Sequence, residues 1–527
     1  LLASKKILLI ILSLCLLATA CSPKPEPVAT NPHQEDREIN IEVMETEAID
    51  KDLLQVLTNG IDGVFNPLFA MTEGDKTISH LMFLPFIGMK ANMEVDPQNG
   101  LVSSMTREGY SLSFTISDDA RWWDGNPVTA NDIYFSLRVI LHPEYSGEKR
   151  RGELLYIDGA RDYNSGLVSG IKGVEVIDEK HLKINFDNFQ DSFYYALDFR
   201  PIPIHYYQGA RMNDVRRLNS KPLGNGPYKL ADWEKNNFAN LERNDDFKYP
   251  TNIKQVSLRE FSEENIVLNM LRGHIDAANI YNDLEALNQS QIQKNFEKNS
   301  ATENEVILLR ISNYNGMEDE ARREQIIDIL KDYRPGTGIK FSNSLISHTN
   351  KAFFDMDYED KELEKNSKSI PLNLVYEDNP YIRNIAQDLK DLLSDNGYIV
   401  TLNGTSPYDL ISTSRKLINS GRSVLVLNSF KHGYMPDFSR EFSSTGDGKY
   451  LFHDLDFDEE IFALLVDKRS DLKDAYKLLC TEIKNNNIAI GFGNPITKTY
   501  TRKALRGFLN TEFTDWFDLA VWDMSWE

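Results

Sequence analysis

The spacing of apolar and polar residues changes period along the chain, and each change marks an element. From Tyr110 the run YSLSFTI puts an aromatic or aliphatic residue at every second position, the signature of a half-buried strand. The segment Ser117-Asp-Asp-Ala-Arg-Trp-Trp-Asp-Gly125 reads as a short strand and an Asp-Gly turn. Thr129 and Asp132 then spell a capping box ahead of a helix running through Ile133-Tyr-Phe-Ser-Leu-Arg138. The threonine hydroxyl can accept the amide three residues on, and the aspartate can reach back. Farther along, Lys221 to Trp233 is a Gly-rich turn entering a strand, and Leu241 to Phe247 closes another strand into a loop.

The clearest architecture follows residue 368. Ile370–Tyr376 reads as a strand, and Asp378 or Asn379 caps a helix with Pro380 at its first position. Ile382, Ile385, Leu389, Leu392 and Leu393 share one helical face, and Gly397 ends it. Tyr398–Leu402 is the next strand. Ser406 caps a second helix that starts at Pro407 and stops at Gly421, and Ser423–Asn428 is a third strand. A β-α-β-α-β order implies a parallel sheet with helices on its faces. Ligands of such sheets lie outside the carboxyl ends of the strands. The third strand runs into LNSFKHGYMPDF, Leu427–Phe438, where polar and aromatic residues replace an apolar run. That end is the candidate site.

The ends and the charge narrow the class. Lys5 and Lys6 precede an apolar run to Ala20, too short to span a bilayer and built like a secretory signal, so residues 1–20 are expected to be removed. Leu17-Ala-Thr-Ala-Cys21 resembles a bacterial lipobox, which makes Cys21 the expected lipid attachment site. Residues 21–47 hold four prolines and many charges, a solvated tether. Of three cysteines, Cys15 leaves with the signal and Cys480 has no partner, so it is expected as a buried small hydrophobe. Acidic residues outnumber basic ones by 80 to 58, which argues against nucleic acid as partner.

Enzyme chemistry finds no support. There is no G-x-S-x-G and no H-E-x-x-H, and none of the nine histidines repeats at a metal-ligand spacing, so no cofactor or metal is expected. Trp122 and Trp123 beside Asp124 read as a packed turn rather than a sugar site. Gly224 and Gly226 look like a phosphate loop, but no Gly-Lys-Ser/Thr and no helix follows.

Four segments, in order, resemble the bacterial extracellular solute-binding proteins of the oligopeptide, dipeptide and nickel importers. They are Asn66-Pro-Leu68, Tyr110 to Arg138 with Trp123-Asp-Gly-Asn-Pro-Val-Thr-Ala-Asn-Asp132, Leu223-Gly-Asn-Gly-Pro-Tyr-Lys229 through Glu242-Arg-Asn244, and Met270-Leu-Arg-Gly-His-Ile-Asp276. The resemblance covers the chain from about residue 50 to the end. It implies an α/β, two-lobed periplasmic-binding-protein-like fold (type II) with an additional α+β domain. Lobe I would take residues 48–77, 216–305 and 497–527, the extra domain 78–215, and lobe II 306–496.

The resemblance also implies a binding protein that closes on a peptide or similar small solute and delivers it to an ABC transporter permease. The chain would be a monomer held in the cell envelope by a lipid anchor, at the outer face of the cytoplasmic membrane or in the periplasm. Ligand main chain would pair near Met71, Thr72 and the loop of Phe430, Lys431, His432, Gly433 and Tyr434. In peptide-binding members an aspartate four residues before the loop proline holds the ligand's amino group. Here the proline is Pro436, His432 stands four before it, and Asp437 is a nearby substitute. Ser429, beside Phe430, replaces a common tryptophan, and Glu318–Leu330 is a shortened version of an Arg-containing helix. A metal-chelate binder or a surface receptor without a transport role would share the same fold.

Overall fold

The computed structural model describes residues 50–527, apart from 90–94, 97–98, 150–151, 190–192, 208–210, 281–284, 289, 351, 359–368, 432–435, 437, 444–450, 452–457, 460, 462, 464–471 and 509–520. The signal, Cys21 and the tether lie outside the described residues.

The first half is built on Leu53–Leu57 (β1), a buried strand followed by the helix Glu73–Met82 (α1). Val102–Glu108 (β2) and Ser111–Ile116 (β3) form a hairpin, with inward residues Leu112, Phe114 and Ile116 of the alternating run buried. The helix Ala130–Ile140 (α2) opens on the capping box read from sequence, with the Thr129 amide donating to the Asp132 carboxylate at 2.8 Å. Val174–Val176 (β4) and His181–Asn185 (β5) complete a four-stranded antiparallel sheet in the order β2-β3-β5-β4. Tyr228–Glu234 (β6), Phe238–Arg243 (β7) and Gln255–Arg259 (β8) form an antiparallel meander whose last strand runs parallel to β1. After the helix Glu263–Arg272 (α3), closed by Gly273 in the left-handed region, Ala277–Ile280 (β9) flanks β1 on its other side.

The short strand expected around Trp122 is instead a turn held by a single bridge between Arg121 and Pro127. Its geometry is fixed by side chains, not by a ladder. Trp122 is buried and donates to Asp132 at 3.2 Å, while the Trp123 indole donates to the Gly226 carbonyl at 3.2 Å. The Asn225 and Gly226 backbone amides both go to the Met82 carbonyl, so neither is left to bind a phosphate. A Cβ on Gly224 would sit 2.3 Å from the Met82 carbonyl oxygen and 2.6 Å from the Trp123 ring. Gly224→Ala is therefore expected to cost about 1–3 kcal/mol, seen as a lower urea midpoint at unchanged slope.

The second half begins where Phe296–Thr302 (β10) passes directly into Glu305–Ile311 (β11). The helix Glu320–Leu330 (α4) and the short strand Ile339–Lys340 (β12) follow. Ile370–Glu377 (β13), the helix Pro380–Asp395 (α5), Tyr398–Thr405 (β14), the helix Leu410–Asn419 (α6) and Val424–Lys431 (β15) form the expected β-α-β-α-β unit. β13 lies between β14 and β15, parallel to both. Asn379 caps α5 by accepting the Ile382 amide at 2.9 Å, and Gly397 takes the left-handed conformation at its end. Three boundaries move. β14 continues to Thr405, three residues past the expected Leu402. β15 continues to Lys431, three residues past the expected end. α6 starts at Leu410 rather than Pro407, because Ser406 to Asp409 forms a turn closed by the Asp409 amide on the Ser406 carbonyl.

After the helix Leu472–Asn485 (α7), the strand Ala489–Arg502 (β16) ties the halves together. Its first residues pair with β11, and its last pair with β9 and β10. One sheet thus runs β14-β13-β15-β11-β16-β9-β1-β8-β7-β6. The chain crosses between the halves at 303–304 and again near 494–496, side by side. There the Glu303 amide donates to the Pro495 carbonyl and Asn494 donates to the Glu305 carbonyl.

The core explains the strand sequences. Along β11, Val306 and Leu308 enter one cluster, and Ile307, Leu309 and Ile311 enter another. Both faces are buried, as apolar runs without alternation require. α5 covers one face, while α6 and α7 cover the other, with Cys480 inside the core and its thiol pushed up by burial. The first half has one continuous core, shared by β1, β8 and the four-stranded sheet.

Candidate functional site

The carboxyl ends of β13, β14 and β15 and the amino end of β11 lie along one edge, because β11 runs antiparallel to β15 with Glu305 opposite Lys431. That edge carries Glu305, Glu377 and Ser429, all half-buried, and the exposed Lys431. Asn379 donates to Glu377 at 3.2 Å, and the Tyr381 hydroxyl donates to Glu305 at 3.4 Å. Burial, and then repulsion from Glu305, pushes the Glu377 carboxyl up to about 7. Lys76 and Glu148, a 2.7 Å ion pair of the first half, lie near enough to act electrostatically on Glu377.

Two further contacts bridge the halves. The helical turn Phe438–Phe442, next after the candidate loop, packs on the turn Gly152–Tyr156. Tyr408, in the turn after β14, reaches the start of α1. Its hydroxyl accepts the Met71 amide at 2.9 Å and donates to Asp75 at 2.8 Å. Thr72 caps α1, its hydroxyl accepting the Asp75 amide.

Below the edge, Arg310 is 2% exposed in the middle of β11. It donates to the Glu441 carboxylate and carbonyl at 3.2 Å, and to Asn428 at 3.2 Å, and its guanidinium lies 4.9 Å from the Phe430 ring centre. The segment after the candidate loop is thereby fastened to the sheet.

Of the residues singled out from sequence, the structure brings Met71 and Thr72 to the face opposite the strand ends. It puts Phe430 in the core and Lys431 at the edge. His432, Gly433, Tyr434 and Asp437 lie outside the described residues. Tyr408, Asp75, Glu305, Glu377 and Tyr381 were missed. Asp75 had a signal, since Thr72-Glu-Gly-Asp75 has capping-box spacing. Among the described residues no group of three or more His, Cys, Asp or Glu is placed to hold a metal ion.

The raised Glu377 value gives a signed pH dependence. The folded carboxyl holds its proton to about 7, whereas the unfolded one ionises from about 4.5. The native state then binds the extra proton, so its contribution is complete below about 4.5 and is lost as pH rises through about 7. Between pH 5 and 7.5, Glu377→Gln is expected to gain on the order of 2 kcal/mol relative to the unsubstituted chain in urea unfolding.

Residues 96–328 match the model of the bacterial extracellular solute-binding proteins, family 5 middle. The oligopeptide-binding protein OppA of Bacillus subtilis is 27% identical over 198 residues, 36% of this chain and 36% of that protein, so the match spans about a third of the relative's length. Among solved structures, the murein tripeptide binding protein MppA of Escherichia coli superposes with a TM-score of 0.76 at 17% identity, covering 91% of this chain and 99% of that one. NikZ of Campylobacter jejuni, in complex with Ni(L-His), gives 0.68 at 18% identity, covering 90% and 100%. The fold is therefore the two-lobed α/β fold of periplasmic binding proteins with its additional domain. Over residues 96–328 the chain is thus similar to the bacterial extracellular solute-binding proteins of family 5, and its fold is shared with solved binding proteins of this kind.

Proposed function

We propose that this chain captures a peptide, or a similarly extended small solute, between its lobes and hands it to an ABC transporter permease. The observation that carries the reading is the facing of two sets of groups: Glu305, Glu377 and Lys431 at the strand ends, and Met71, Thr72 and Lys76 opposite. Such an arrangement suits a cleft that closes on a ligand touching both sides. The lobes divide at the two crossings, which supports residues 48–77, 216–305 and 497–527 as lobe I, 78–215 as the extra domain and 306–496 as lobe II. Ligand main chain would run past Met71, Thr72 and the loop Phe430–Tyr434, with Asp437 close by. His432 would face the ligand's end, and imidazole there favours an anionic or blocked terminus over an ammonium. Lipid on Cys21 would hold the monomer to the envelope, outside the cytoplasmic membrane. Among the described residues no helix is long and apolar enough to cross a membrane.

The relatives frame the test. The Bacillus subtilis relative is named for oligopeptide binding, whereas the NikZ structure holds a nickel–histidine complex. A thermal-shift panel should raise the melting temperature with short peptides, by an amount equal to about 2.7 kcal/mol at a hundredfold excess over Kd. A response to nickel–histidine alone would move the chain to the chelate reading. A panel without any response would contradict both.

A further inference from the structure

We propose that Tyr408 is a built-in clasp that holds the two lobes closed without ligand, by occupying the backbone amide at the start of α1. The geometry is specific. One hydroxyl accepts the Met71 N–H at 2.9 Å, lies 3.4 Å from the Thr72 N, and donates to Asp75 Oδ2 at 2.8 Å. The partners are more than 300 residues apart in sequence and belong to different lobes.

Both ends of the clasp are rigid. Asp75 is fully buried, and its oxygens also accept the amides of Asp62, Gly63 and Val64 at 3.1 Å each. On the other side, Tyr408 sits in the turn Ser406–Asp409, where the Ser406 hydroxyl donates to the Asp409 carboxylate at 3.1 Å. Beside the joint, Lys235 pairs with Asp62 at 2.8 Å and is also attracted by Asp409 of the other lobe. Burial and the neighbouring Asp75 raise the Tyr408 hydroxyl far above its ordinary range, so it remains a donor at any working pH. Burial pushes the Asp75 carboxyl up to about 6, so above that pH the acceptor is charged and the bond is among the stronger kinds.

The clasp bears on ligand choice as well as on closure. A ligand that bonds to the Met71 amide has to displace the tyrosine hydroxyl, whereas one that lies deeper, toward Glu377, leaves the clasp shut. The claim itself needs no particular ligand, and it stands or falls separately from the peptide reading.

The test uses the full chain, freed of bound small molecules by dialysis from denaturant and checked by mass spectrometry, beside Tyr408→Phe. Small-angle scattering gives the radius of gyration, and hydrogen exchange reads the segment containing Met71 and Thr72. The unsubstituted chain is expected to be closed. Tyr408→Phe is expected to be larger, with exchange at Met71 about tenfold faster and exchange in β13–β15 unchanged. An open radius for the ligand-free, unsubstituted chain overturns the proposal whatever the variant does. So does a Met71 amide that exchanges equally fast in both proteins.

Discussion

Arg310→Ala is expected to lower the unfolding free energy by about 3–5 kcal/mol and to weaken ligand binding with it. Arg310 is an arginine in a strand whose neighbours all face core. Its side chain is 2% exposed and that of its partner Glu441 is 6% exposed. Attraction between two desolvated charges offsets the cost of desolvating them, so removing one leaves the cost of the other. The same side chain holds Asn428, within β15 and three residues before its end, and the Glu441 carbonyl beyond the candidate loop. Its loss therefore loosens both ends of that loop. Urea unfolding measures the first effect and ligand titration the second. Replacing the pair together, as Arg310→Met with Glu441→Leu, should cost less than Arg310→Ala, because no isolated charge remains.

Asp276→Ala should be as damaging, at about 3–5 kcal/mol, in the other lobe. Asp276 accepts from Arg502 at 2.5 Å and from the Gln55 amide at 2.9 Å, and both members of the ion pair are 7% exposed. Its backbone bonds to both neighbours as well, to Gln55 and to Arg502. One residue thus joins β1 to the end of β16, the strand that runs through both lobes. Asp276→Asn keeps an acceptor for Gln55 and loses only the charge, so it should fall between the alanine variant and the unsubstituted chain. If Asn and Ala were equally destabilising in urea, the charge pair would account for the whole effect.

Much of the fold was legible because its signals are local. The capping box at Thr129 and Asp132, Asn379 before Pro380, and the glycines at 397 and 421 each state their own conformation within a few residues. The parallel pairing of β13 with β14 and β15 follows from connections long enough to hold a helix. The turn Ser406-Pro-Tyr-Asp409 was misread for a comparably plain reason. Ser406 and Asp409 are both good caps, and the chain between them closes a turn whose Tyr408 reaches a segment 333 residues away. The 14 residues of β16 form one strand, and nothing local in their sequence says that its two ends pair with different halves. Likewise, EVILLRI announces a buried strand without naming the partner of its arginine, which lies 131 residues on. The site was legible only as a place, the carboxyl ends of the strands. Glu305 and Glu377 entered it through register, which the sequence does not print.

The most direct measurement is native mass spectrometry of the gently purified protein, followed by release of whatever it carries. A ladder of masses that fits short peptides, lost when the chain is denatured, is expected. A single non-peptide mass, such as a metal chelate, would contradict the peptide reading.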